Sequence, residues 1–194
     1  SLSLLILSHN AISLMFMPFI IAYCLYLIWL SKFNKYLILN TAFVIFIGLA
    51  LSAFFWIPGL LEGKYTLRDI VTAGDYNTRF VSLQSLLYGD WSYGGTGQFS
   101  VQIGMIQWVF IILSLPVTLY LYKIRNRLWI LSFGALIILS LSIFFMLSYS
   151  SFIWHHIKIL QNFQFPWRFL SISVFVGAVL GGIVISQIRN YRLI

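Results

Sequence analysis

All four carboxylates of this 194-residue sequence, Glu62, Asp69, Asp75 and Asp90, lie in one polar interval between Glu62 and Ile103. Carboxylates are the groups that act as general base or hold a divalent cation, so any acid-base chemistry is expected there. Within it, Tyr88-Gly89-Asp90-Trp91-Ser92-Tyr93-Gly94-Gly95-Thr96-Gly97-Gln98 sets an acid among aromatic rings and glycines. Aromatic faces such as Trp91 and Tyr93 stack on a sugar ring while Asp90 accepts hydrogen bonds from its hydroxyls. Asp69 and Asp75 flank Arg68 and Arg79, and read equally as a solvated salt-bridge cluster. The glycines are not a phosphate loop, because no Gly-Lys-Ser/Thr and no preceding strand accompany them.

A second constellation is Gln161-Asn162-Phe163-Gln164-Phe165-Pro166-Trp167-Arg168-Phe169, where proline fixes a turn and Arg168 falls at a membrane rim. Gln164, Trp167 and Arg168 are its binding candidates. Arg168 either snorkels as an anchor or offers a planar guanidinium fork to a phosphate. Ser8-His9-Asn10 opens an apolar run; His9 and Asn10 either orient a polar headgroup or cap the helix through Asn10. His155 and His156 are neighbours whose side chains on a helix diverge by about 100°, so a shared metal would need a third ligand. Neither a metal nor a cofactor is assigned, and the catalytic group itself is not identified.

The elements that must position these residues are membrane helices. With 61% hydrophobic and 8% charged residues and a mean hydropathy of +0.95, the chain is far from a soluble composition, where about a quarter of residues are charged. Continuous apolar runs of roughly 20 residues match the hydrocarbon thickness and exclude the alternation of a β-barrel. The expected fold is all-α, a single polytopic bundle over residues 1–194 with about five spans: Ala11–Leu30, Tyr36–Ile57, Ile103–Tyr122, Leu128–Leu147 and Phe169–Ile188. Pro58-Gly59 is expected to end the second. Phe80, Leu83 and Leu87, and likewise Ile153, Ile157 and Leu160, recur at helical spacing and predict short helices lying on the membrane. Thr66 and Asp69 give a weak capping signal for another. Cys24 stands alone, so no disulfide framework is present.

Charge sets the orientation, because lysine and arginine are retained on the cytoplasmic side of short loops. Lys32, Lys35, Lys123, Arg125, Arg127, Arg189 and Arg192 share one face without an acid, and that face is assigned to the cytoplasm with the C-terminus. The other face, with His9, Glu62, Asp90 and Arg168, is then extracytoplasmic and carries the long loop. Ser1 would begin on that outer face without a signal peptide, so the chain is expected to be part of a larger polytopic protein. The basic residues sit at span ends, where lipid headgroups attract them; nucleic acid is not an expected partner, and membrane lipid is.

Ser8-His9-Asn10, Phe55-Trp56-Ile57-Pro58-Gly59-Leu60-Leu61-Glu62, Trp91-Ser92-Tyr93-Gly94, Gln102-Ile103-Gly104 and Gln164-Phe165-Pro166-Trp167-Arg168-Phe169 together resemble the membrane-protein family labelled pyruvoyl-tetrahydropterin synthase-related domain. That family is similar in layout to integral-membrane glycosyltransferases of the GT-C type. The resemblance implies a polyprenyl-phosphate-linked sugar donor at the outer face of the cell membrane, in a cavity lined by outer-face polar residues. GT-C enzymes usually carry their acidic motif in a first outer loop near the N-terminus; no such segment is present here, so the resemblance implies that it lies upstream of Ser1. Two other readings stand beside it: a lipid or polysaccharide transporter or flippase, and a non-catalytic envelope assembly subunit.

Overall fold

The computed structural model describes residues 2–62, 65, 75–89, 100–161 and 163–191. The chain is all-helical among the described residues, and four helices are long and apolar enough to cross a membrane, or five if one bent pair is a single span. It packs as two compact units, Ser1–Ala73 and Gly74–Ile194.

The N-terminal unit holds α1 (Leu2–Ser8), α2 (Asn10–Leu30), α3 (Lys35–Leu51) and α4 (Ala53–Leu61). Long apolar runs form helices because hydrocarbon leaves backbone groups no partner but their own helix. The Leu2–Leu7 stub is itself helical and packs on α2 and α3. It approaches α3 closely at Gly48, where an added Cβ would lie 2.8 Å from the Leu2 side chain. Between α2 and α3 the chain reverses through Lys32 and Phe33, both at positive φ, and Asn34 accepts from the Tyr36 N–H at 2.9 Å to start α3.

The second expected span departs from a straight Tyr36–Ile57 helix. It breaks at Ser52, and α4 leaves α3 at 70°. Ser52 is fully buried and its hydroxyl donates to the Gly48 carbonyl at 2.9 Å, the serine back-bonding that competes with the backbone ladder and bends helices. Trp56 then reaches back across the bend, its indole N–H donating to the Leu49 carbonyl at 3.0 Å. Pro58 and Gly59 lie inside α4 rather than ending it. Proline lacks a donor but keeps its carbonyl, which accepts from the Glu62 N–H at 2.8 Å and closes the helix there.

The C-terminal unit holds α5 (Leu83–Leu87), α6 (Met105–Lys123), α7 (Leu128–Met146), α8 (Ser151–His156), α9 (Lys158–Gln161) and α10 (Leu170–Tyr191). Helices α6 and α7 form a hairpin whose turn runs through Arg125 at positive φ, with Asn126 Oδ1 accepting from the Leu128 N–H at 3.0 Å. Helix α10 packs against both. Gly177 and Gly181 face Gln107 and Phe110 of α6, the small-residue contact that lets membrane helices approach. Buried hydroxyls tie the same helices: Thr118 to Ser132 between α6 and α7, and Ser142 to Ser173 at 2.7 Å between α7 and α10. Each such bond is worth about 0.6 kcal/mol in a membrane protein. Leu121, Leu139, Met146, Ile172, Leu180 and Val184 fill the space between them.

Both expected surface segments are helical, but shorter than the patterns suggested. In α5 the buried residue is Leu86, outside the Phe80-Leu83-Leu87 stripe, while Leu83 and Leu87 are exposed. In α8 it is Trp154, with Ile157 exposed beyond the helix end. A helix of one or two turns is placed by its single anchoring contact, which period alone does not name. Thr66 and Asp69 lie outside the described residues.

Candidate functional site

At one end of the C-terminal unit, three separate segments pack on the last turn of α7 and the first turn of α6. Val81 bridges to Leu147 in parallel, its N–H donating to the Met146 carbonyl at 2.9 Å. The Leu86 carbonyl accepts from the Ile103 N–H and from the Trp108 indole, both at 3.0 Å. Phe169, in the 3-10 turn Pro166–Phe169 that leads into α10, stacks on Phe145 with ring centroids 5.2 Å apart. The basic turn Lys123 to Arg127 lies at the opposite end of the α6–α7 hairpin.

An aromatic cluster underlies the converging segments. Trp154 is wholly buried, stacks on Tyr76 at 5.7 Å, and meets Phe80 and Phe169 edge-on. Its indole N–H donates to the Phe145 carbonyl at 3.1 Å, and its own carbonyl accepts from Gln161 Nε2 at 2.9 Å. Such rings supply large apolar area with few torsions to freeze, so the turn above them is firmly seated.

On this base, Gln164 adopts a φ of 61°, a left-handed conformation that costs a residue with a Cβ on the order of 1 kcal/mol. The consequence is a reversal that returns the Gln164 side chain to Arg168: Oε1 accepts from Nη2 at 3.1 Å. The Arg168 guanidinium also lies over the Phe165 ring, 5.2 Å from its centroid, and Phe165 stacks on Trp167 with a 5° interplanar angle. A second guanidinium, Arg79, covers the same ring at 5.6 Å. Each cation over an aromatic face gains about 0.5–1 kcal/mol where exposed. Half-buried Gln164, Phe165, Trp167 and Arg168, with exposed Arg79 over the same ring, thus make one positively charged site whose donors suit an anion.

The other sequence candidates fall elsewhere. His9 is the cap of α2, its Nδ1 accepting from the Ile12 N–H at 3.4 Å, so the capping group is His9 rather than Asn10. Glu62 is exposed at the end of α4. His9, Asn10 and Glu62 belong to the N-terminal unit, and Gln164, Trp167 and Arg168 to the C-terminal one. Asp90, Trp91 and Tyr93 lie outside the described residues; the near stem of their loop is held where Gln102 Oε1 accepts from the Gly89 N–H at 3.3 Å. His156 Nδ1 pairs with the Phe152 carbonyl at 2.7 Å, and no group of three metal-ligating side chains is found among the described residues. Two open apolar grooves run along Leu14, Met17 and Ile21 of α2 and along Leu39, Phe43 and Phe46 of α3, distant in sequence from the arginine site.

Sequence reasoning assigned Arg79 to a cluster with Asp75 and passed over Phe165. Nothing local to Arg79 marks it, since its partner ring lies far along the chain and only the docking of Val81 on α7 unites them. No protein-family model, curated protein or solved structure matches the chain. The family resemblance therefore stands as a proposal.

Proposed function

We propose that this multi-pass membrane protein is a glycosyltransferase of GT-C type, or an inactive relative, that binds a polyprenyl-phosphate-linked sugar on the extracytoplasmic side, with Arg168 against the phosphate. The observation that carries the reading is the fixed Arg168 fork, held by Gln164 and by the Phe165 ring at the end of a membrane helix. An arginine that merely snorkels needs no left-handed residue to aim it, whereas backbone held in such a conformation clusters at binding sites. Gly89, the last described residue before Asp90, lies at the same end of the unit, held by Gln102 beside the Leu86–Trp108 contact.

Orientation enters through charge alone: the end bearing Lys123, Arg125 and Arg127 is the cytoplasmic one under the positive-inside rule. A transporter or flippase is less well supported, because the buried polar groups within α6, α7 and α10 are mostly small hydroxyls already bonded to one another or to the backbone. The test is incubation of the full-length protein, in lipid nanodiscs, with radiolabelled prenyl-phosphate sugar. Transfer to an acceptor, lost in Arg168→Ala, is the expected outcome. No transfer together with donor binding that Arg168→Ala leaves unchanged would sink the reading.

A further inference from the structure

We propose that Arg79 and Arg168 jointly form a site for a diphosphate group, with the Phe165 ring as their common support. The proposal rests on the phosphate reading above and deepens it, from one negative charge to at least two.

Two guanidinium groups lie against one ring, at 5.6 and 5.2 Å from its centroid. The attraction of a single ring face offsets only about 1 kcal/mol per cation. Arg168 is half-buried and Arg79 exposed, so a single ring offsets the mutual repulsion of the two cations only in part; an anion between them removes it, and one singly charged phosphodiester is satisfied by one arginine fork. A diphosphate has oxygens for both.

Neither arginine hangs on a free tether. Arg79 stands two residues before the Val81–Leu147 bridge and three after Tyr76, whose ring is buried against Trp154. Arg168 is fixed by Gln164. Separate anchorages to the end of α7, Val81 on Leu147 and Phe169 on Phe145, thus bring two cations to one ring.

The test uses the full chain in nanodiscs of zwitterionic lipid. Equilibrium binding of inorganic pyrophosphate is expected to be ~10-fold tighter than that of orthophosphate, and Arg79→Gln and Arg168→Gln are each expected to weaken it ~10-fold. Arg79→Lys keeps the charge without the fork and is expected to fall between, which guards against a variant that fails only because it misfolds. Nanodiscs doped with a prenyl diphosphate should displace free pyrophosphate, identifying a lipid source; failure to displace, with pyrophosphate still bound, identifies a soluble one. Equal affinity for pyrophosphate and orthophosphate, displacement by phosphatidylglycerol as strong as by prenyl diphosphate, or indifference to Arg79→Gln would each overturn the proposal. Pyrophosphate binding without sugar transfer would remove the active transferase, leaving the inactive relative and this site standing.

Discussion

The N-terminal and C-terminal units are built from equally apolar helices, yet they use that apolarity in opposite ways. The best membrane window of α2 has a hydropathy of 2.2 with 11% of its residues buried in the protein, whereas the span ending in α10 has 2.3 with 50% buried. Helix α10 is the centre of a bundle, touched by α6 and α7 and crossed by hydroxyl pairs and glycine contacts. Helix α2 turns Leu14, Ile21, Tyr23, Leu25 and Trp29 outward, as a helix bathed in lipid does. Hydropathy measures transfer from water and treats lipid and protein alike, so it cannot tell a helix at the centre of a bundle from one that faces lipid.

The sharpest way to break that comparison is a matched pair of truncations. Leu180→Ala removes a fully buried side chain from α10 and is expected to cost about 2–5 kcal/mol in denaturant unfolding of the detergent-solubilised protein. Leu25→Ala on the outward face of α2, where the residue is 60% exposed, should change it by no more than about 0.5 kcal/mol. Equal losses would mean that α2 is as enclosed as α10. A smaller contrast exists within α10 itself. Gly181→Leu drives a side chain into Phe110, 3.2 Å from the nearest position a Cβ would take, and is expected to cost about 1–3 kcal/mol, while Gly182→Leu meets open space and should be nearly neutral.

The functional end admits a subtler test. Gln164→Gly relieves the left-handed backbone but removes the acceptor that aims Arg168, so its two effects on stability partly cancel and a net change within about 1 kcal/mol is expected. Pyrophosphate binding should weaken all the same, and unchanged binding would show that Gln164 does not position the guanidinium. Least of all, Ser142→Ala should cost about 0.6 kcal/mol by cutting the hydroxyl pair to Ser173. A loss several times larger would show that the pair aligns α7 with α10 rather than merely joining them.

Some of the site was legible before the fold was known. Gln164, Trp167 and Arg168 stand within five residues of one another around a proline, and a turn that short brings its side chains together whatever surrounds it. Arg79 and Phe165 were not, because no local pattern links residues so far apart. The capping role of His9 also escaped notice, since asparagine is the commoner cap and only backbone geometry decides which of two neighbours stands first outside the helix.

What the sequence by itself determined is the number, type and approximate limits of the apolar helices and the separation of basic turns from acidic loops. Those follow from the length of hydrocarbon a helix must cross and from the cost of burying a charge, both of which act residue by residue. Tertiary structure alone decided the central place of α10 and the meeting of Arg79 with Arg168 over one ring. Each of these depends on which surfaces fit together, and fit is a property of pairs of segments that no single stretch of chain contains.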